Sequence, residues 1–240
     1  MIGNHDVPRP ASRYRLDEGF TPQMISRLIA LGDRNAETGA RRARADALVL
    51  LALPGSAYIY RGEELGLPEV TDIPDAARQD PGFRRTNGAS PGRDGCRVPI
   101  PWAQRVQASA FLRVPVGRLP GPAPPVRTGW PARPDPWLPE PADWGRYCVE
   151  SQLADEHSFL NLYHAALRLR RAHPALGRGT LRWLDPGPGL LCFAREPGFV
   201  LAANLGAAPA PLPAHREILL ASGPVTGDSL PPDTAAWLAA

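Results

Sequence analysis

The sequence contains no lysine. All 27 basic residues are arginine, scattered along 240 residues, and against 24 acidic residues they leave a formal net charge of only +3. A nucleic-acid-binding surface gathers its basic residues on one face or stripe. No such block is present, so no nucleic-acid partner is expected. Arginine without lysine, beside 30 Pro and 23 Gly, reads as the imprint of a GC-rich genome. Cysteine is scarce as well. Cys96, Cys148 and Cys192 lie far apart and form no C-x-x-C pair, which argues against zinc and fits reduced thiols. No run of about 18 apolar residues occurs, so no membrane span is expected. The N-terminus lacks the basic-then-apolar pattern of a secretion signal. The expectation is a cytoplasmic protein with no metal and no cofactor.

What is present divides at about residue 177. Residues 21–33, "TPQMISRLIALGD", have the pattern of a short helix, with Thr21 as cap, Pro22 at the first helical position, and Met24, Ile25, Leu28 and Ile29 on one face. A second helix is expected from Thr38 to about Leu53, stopped by Pro54-Gly55. "SAYIY" (56–60) reads as a short buried strand. Helix, tight turn and strand make the unit of an α/β fold. Residues 61–155 hold no lasting period, which marks a long functional or disordered loop. "DEHSFLNLYHAALRLRRAHPAL" is an amphipathic helix ended by His173-Pro174. Beyond Gly177 come "TLRWL", "GLLCFAR", "FVLAANL", "REILLAS" and "TAAWLA", separated by Gly and Pro, the texture of a small antiparallel β domain.

The chemistry begins at "MIGNHDVPRP", where Asn4, His5 and Asp6 place an amide, an imidazole and a carboxylate side by side. Alone, the three could form a frayed end or a local Asx turn. They are followed by "RARADALVLLALPGSAYIYRGEELGLPEV" (42–70), "QDPGFRRTNGASPGRDGCRVPIPW" (79–102), "PWLPEP" (136–141) and "VESQLADEHSFLNLYHAALRLRRAHPAL" (149–176). Together these blocks resemble the C-terminal part of an α-glucosidase of the α-amylase superfamily (glycoside hydrolase family thirteen), in particular its oligo-1,6-glucosidase-like bacterial members. The resemblance implies an α/β fold. Residues 1–176 would be the last two units of a (β/α)8 barrel with a long loop at 61–155, and residues 177–240 a β-sandwich domain. His5 and Asp6 would stand at the C-terminal end of the seventh barrel strand, where barrel enzymes place their active sites. His5 would bind hydroxyls of the sugar ring being cleaved, and Asp6 would stabilise its oxocarbenium-like transition state. Arg97, in "GRDGCRVP", matches an arginine that contacts the same ring; a loop-stabilising ion pair with Asp94 is its other reading. Asn4, Arg9 and Asp94 match supporting positions.

Other carboxylates and histidines fit less well. Glu63 and Glu64 are adjacent on an extended segment and point to opposite sides, so they cannot flank one glycosidic bond. "GFRR" (82–85) resembles the family's nucleophile motif, Gly-Phe-Arg-x-Asp. Thr86 stands where the Asp belongs, however, and the stretch lies on the wrong side of Asn4-His5-Asp6. His157, His164 and His173 are expected at the surface.

A retaining glycosidase needs a nucleophile and an acid/base, and the family carries both before its Asn-His-Asp motif. The resemblance therefore implies a fragment whose parent hydrolyses terminal α-glucosidic bonds of oligosaccharides, itself without hydrolytic activity. The alternative is a non-catalytic partner that complements a separately encoded N-terminal half, or binds carbohydrate through aromatics such as Trp183 and Trp237. The Pro- and Arg-rich stretch 103–133 departs from the family pattern and suggests a reading-frame shift, with a genuine lineage-specific Pro-rich loop as the other reading. Two barrel units alone leave open strand edges, so weak stability and self-association are expected. Gel filtration tests this, with a compact, cooperatively unfolding monomer as the opposing outcome. Sequencing upstream of Met1 tests the fragment reading: an open frame with Gly-Phe-Arg-x-Asp and an acid Glu makes Met1 a misassigned start, and a closed frame makes the chain a remnant.

Overall fold

The computed structural model describes residues 2–17, 24–102 and 137–240. The caps expected at Thr21 and Pro22 and the suspected frame shift at 103–133 lie outside the described residues. Seven helices precede the strands among the described residues: α1 (Pro10–Arg13), α2 (Met24–Leu31), α3 (Ala36–Ala52), α4 (Pro81–Arg85), α5 (Val149–Ala154), α6 (Phe159–Ala172) and α7 (Pro174–Arg178). The strands are β1 (Leu181–Leu184), β2 (Leu190–Arg195), β3 (Phe199–Asn204), β4 (Ala210–Pro211), β5 (Glu217–Ala221), β6 (Ser229–Leu230) and β7 (Thr234–Ala239). None of these helices is long and apolar enough to cross a membrane.

Helix α3 is built from strong helix formers, Ala, Leu and Arg. It starts at Ala36, two residues earlier than the sequence suggests, because Asn35 takes the left-handed conformation with φ 59° and turns the chain into the helix. It ends because Leu53 precedes Pro54 and is forced to an extended backbone, ψ 151°. Helix α6 opens on Ser158, whose Oγ accepts the Asn161 N–H at 3.1 Å. Pro174 ends α6 and opens α7, with His173 Nδ1 accepting the Ala175 N–H at 3.3 Å.

The five apolar runs beyond Gly177 form the strands of one antiparallel sheet, in the order β1-β2-β3-β7-β5. Side chains alternate across it. Phe199, Leu201 and Ala203 of β3 join the core shared with α3 and α6, whereas Val200 and Ala202 face a second cluster with Leu212 and Leu230 beside the two-stranded β4–β6 sheet. Strand β3 is buried throughout, because both of its faces are covered. A cross-strand row, Trp183, Phe193, Leu201 and Trp237, runs along the helix side of the sheet.

The expected strand at 56–60 is extended but pairs with no neighbour among the described residues. Its alternation survives: Ala57 and Ile59 pack against the helix core, and Tyr58 points out, 64% exposed. A strand becomes a ladder only with a partner at hydrogen-bonding distance, and a run of suitable residues cannot supply one. The aperiodic stretch from Arg61 onward is ordered where it is described. Leu65, Leu67, Val70, Ile73, Val98, Leu138 and Trp144 form a core of their own with Leu160 of α6. They come from irregular segments and short turns spread from Leu65 to Trp144, which is why no period announced them.

Helix α3 is tied to its surroundings through its C-terminal carbonyls. Arg170 of α6 donates to the carbonyls of Leu51, Leu53 (2.9 Å) and Gly55 (2.6 Å). Arg195 of β2, 1% exposed, donates to Ala52 O at 2.7 Å and to Gly179 O. The Trp237 indole N–H of β7 donates to Leu48 O at 3.0 Å. Arg195→Met leaves buried carbonyls unsatisfied and is expected to cost about 3 kcal/mol, and Trp237→Phe about 1 kcal/mol. Urea unfolding followed by circular dichroism measures both.

Candidate active site

The site starts from a local turn. Asn4 Oδ1 accepts the Asp6 N–H at 2.7 Å, so an Asx turn does form here. It leaves the side chains of His5 and Asp6 68% and 47% exposed, with His5 Nε2 3.5 Å from Asp6 Oδ2. Arg9, 1% exposed, anchors this segment from beneath. Its backbone N–H donates to Glu69 Oε2 at 2.9 Å. Its guanidinium donates to Arg61 O (2.8 Å) and Cys96 O (2.9 Å) and lies over the Tyr60 ring. One side chain thus joins the segment before α1, the end of the 56–60 strip and the turn before Arg97. Gly62, at φ +87°, is where this packing demands glycine: a Cβ would lie 2.5 Å from Arg9 Nη1.

The opposite wall is a 3-10 turn, Asp94–Arg97. Asp94 is fully buried, and its Oδ2 accepts the N–H groups of Gln79 (2.8 Å) and Asp80 (2.9 Å). This holds Asp80, the N-cap of α4, against the site, where it also accepts the Gly82 N–H at 2.7 Å. Arg93 bridges inside and outside, with Nε to Asp80 Oδ2 at 2.6 Å and Nη1 to Asp6 Oδ1 at 2.7 Å. Arg97 donates from Nε to His5 O at 3.0 Å, and its terminal nitrogens stand 3.5 Å from Asp6, 3.4 Å from Asp80 and 3.7 Å from Asp94. Arg97 thus pairs with Asp94, its second reading, and lies beside the His5-Asp6 segment. A shallow cleft runs from Asp6 and Arg93 past Pro8 to Met24 and Ile25.

Asp80 and Arg93 were not singled out from the sequence. The available signals were Asp80-Pro81, the cap-then-proline signature of a helix start, and the i, i+4 spacing of Arg93 and Arg97. Glu63 and Glu64 have separate environments. Glu64 Oε2 accepts the Gly62 N–H at 2.7 Å, while Glu63 is buried. His157 is exposed and the segment "GFRR" lies in α4. Burial pushes the Cys96 thiol up to about 12, so it is no nucleophile. Among the described residues no group of three or more His, Cys, Asp or Glu could hold a metal ion.

Comparison with known proteins gives this arrangement its family. Residues 1–115 match the α-amylase catalytic domain, and residues 190–237 match a domain of unknown function, DUF3459. The chain belongs to the α-amylase family. It corresponds to the C-terminal part of an α-glucosidase-like member, and its fold is part of a (β/α)8 barrel followed by an antiparallel β domain. The probable α-glucosidase of Rhizobium meliloti (strain 1021) is 32% identical over 198 residues, covering 82% of this chain and 28% of that protein. The oligo-1,6-glucosidase of Parageobacillus thermoglucosidasius is 24% identical over 215 residues, covering 82% and 31%. Among solved structures, an α-glucosyl transfer enzyme superposes with a TM-score of 0.61 at 28% identity, covering 94% of this chain and 45% of the other. An isomaltulose synthase of Erwinia rhapontici NX5 shares the fold, with a TM-score of 0.66 at 18% identity, covering 98% and 41%. The chain spans 28 to 31% of the length of the first three curated relatives.

The charges of this α-amylase-family site set opposing pH dependences. Burial works against the charge on Asp80, but the hydrogen bonds from Arg93 and Gly82 outweigh it and hold its pKa below the usual value. Its contribution is present above the ordinary Asp pKa, about 3.9, and is lost as pH falls through the folded value. Burial raises Glu63 and Glu69 to about 7. Their contribution is present below the ordinary Glu pKa, about 4.3, and is lost as pH rises through about 7. Stability is therefore expected to peak on the acid side of neutrality. Arg93→Met should cost about 2 kcal/mol at that peak and move the acid limb of unfolding to higher pH. Urea midpoints across a pH series check both.

Proposed function

We propose that this chain carries part of the sugar-binding face of an α-glucosidase and that, as it stands, it binds α-glucosides without hydrolysing them. The parent reaction is retaining hydrolysis of terminal α-glucosidic bonds in oligosaccharides. His5 and Arg97 bind hydroxyls of the terminal ring, and Asp6 binds the same ring and stabilises the positive charge that develops on it. Asn4 shapes the turn that presents them, and Arg9 and Asp94 hold the two walls in place. The sequence in hand contains no match to the family's nucleophilic Asp or its acid/base Glu. No metal or cofactor enters this chemistry, and cytoplasmic residence is part of the same reading.

The observation that carries the reading is the convergence of His5, Arg93 and Arg97 on one exposed carboxylate. Charged donors and an acceptor at an open cleft suit the alternating donor and acceptor character of sugar hydroxyls. In the unliganded state Arg93 occupies Asp6, and a sugar hydroxyl would take its place. Calorimetric titration with maltose and isomaltose should detect weak binding, with a Kd on the order of 1 mM, about 4 kcal/mol of binding free energy. Asp6→Ala should weaken it at least about tenfold, the loss of a hydrogen bond to a charged group. Trp183→Ala should leave binding unchanged, and p-nitrophenyl α-glucoside should not be cleaved by the wild-type chain. Unaltered binding in Asp6→Ala refutes the site assignment.

Complementation by a separate N-terminal half is the second reading. It is favoured by the extended 56–60 backbone, which has no ladder partner among the described residues and exposes Tyr58. Co-expression with the preceding part of a relative, such as the Rhizobium α-glucosidase, tests it: recovered hydrolysis supports the reading, and its absence from a co-purified complex counts against it. Carbohydrate binding through the β domain is not favoured, because Trp237 is fully buried with its indole N–H committed to Leu48.

A further inference from the structure

Glu63 is the buried carboxylate that the site reading leaves without a task. It is 6% exposed, and neither of its oxygens completes a hydrogen bond. Such a group is costly to keep, and an apolar residue would fill the space without that cost. What the carboxylate touches is informative. A Cβ placed on Gly3 would lie 2.1 Å from Glu63 Oε1, so the carboxylate packs directly on the Gly3 backbone and a side chain there would have to displace it. The N–H groups of Gly3 and Tyr60 face the carboxylate and favour its charged form, although neither reaches full hydrogen-bond geometry.

The other end of the same peptide unit is held as well. Arg13 Nη2 donates to Ile2 O at 3.2 Å. The Ile2 carbonyl and the Gly3 N–H belong to one planar group. Its carbonyl end therefore meets a cation and its amide end meets a carboxylate, the orientation its dipole favours. Asn4, His5 and Asp6 follow immediately.

We infer that Arg13 and Glu63 clamp the Ile2–Gly3 peptide and that Glu63 is a positioning residue for the Asn4-His5-Asp6 segment, holding it most firmly while its carboxyl is neutral. The inference rests on the sugar-binding proposal only for the purpose the segment serves. How the segment is held is a separate question with its own test.

The surroundings make the grip titratable. Burial raises Glu63 to about 7, with the nearby carboxylates Asp46 of α3 and Glu64 adding to the rise. Asp46 accepts a hydrogen bond from Tyr14, which Arg13 also contacts, and Tyr163 of α6 lines the same small cavity between Asp46 and Glu63. The two tyrosines are raised by burial and stay neutral, while burial also raises Asp46, which feels the chain's α-amino group; comparison with Glu63→Gln separates the titration of Glu63 from theirs. Burial in this packed position is the main cause of the rise, so the clamp favours the neutral carboxyl, and ionisation above the midpoint draws Glu63 toward water and loosens the segment.

Hydrogen–deuterium exchange without sugar tests this on the full chain in a His5→Asn background, which leaves no imidazole within the segment. After correction for intrinsic rates, protection of residues 3–6 should fall severalfold from pH 6 to 8, as Glu63 ionises near 7. Adding Glu63→Gln should abolish that fall, leaving exchange of 3–6 several-fold slower at pH 8 than in the background chain, while α3 and the β2–β3 pair keep their protection. Glu63→Asp should restore part of the pH dependence. A flat profile in the background chain overturns the inference, whatever the variants do. So does an unchanged profile in Glu63→Gln. If Glu63→Gln also unprotects α3, the background profile and Glu63→Asp decide. Loss of sugar binding with the pH profile intact would count against the sugar-binding proposal alone.

Discussion

The last turn of α3 is the point on which the molecule hangs. A helix end carries unpaired carbonyls, and here that end is buried among other elements, where water cannot satisfy them. Arg170 from α6, Arg195 from β2 and the Trp237 indole from β7 supply the donors. Each donor comes from a different element, so satisfying one helix end fixes the positions of a second helix and two strands of the sheet. The apolar core shared by Leu48, Leu51, Leu162, Phe193, Leu201 and Trp237 forms around that anchor. Hydrophobic burial provides most of the driving force and is indifferent to direction. The arginines provide the direction.

The candidate site is organised by charge in the same way, on backbone that is almost all irregular. Asp94 is fully buried and acts inward, gathering the Gln79 and Asp80 amides. Asp80 acts sideways through Arg93, and Asp6 stands at the surface as the carboxylate from which a ligand can displace a partner. Arg9 ties the floor together from below. Irregular segments can be this well determined because they carry their own core, Leu65 through Trp144, and because their backbone groups are captured by side chains instead of by ladders.

Periodicity was readable wherever an element is self-sufficient. The apolar spacing of α6 and its proline-defined C-terminus stand where the sequence puts them, and so do the five runs that became sheet strands, because helix and hairpin patterns are local. The segment 56–60 shows where that logic stops. Its composition and alternation are those of a strand, yet a ladder requires a neighbour, and none of the described residues lies alongside. Recognition of Asn4, His5, Asp6 and Arg97 came from motif resemblance. Arg93 and Asp80 escaped notice because their importance lies in distances across sequence gaps of 87 and 13 residues, to Asp6 and to one another.

The sequence by itself determined the three periodic helices, the five runs of the large sheet, the change of texture near residue 177 and the family, because each is written in local spacing or in contiguous motif blocks. Only the tertiary structure decided which carboxylates are spent internally and which remains open, since Asp6, Asp80 and Asp94 look alike until their partners are known. It also separated Glu63 from Glu64. Burial and the approach of the Gly3 backbone arise from chain segments 60 residues apart, and no local pattern encodes a contact of that kind.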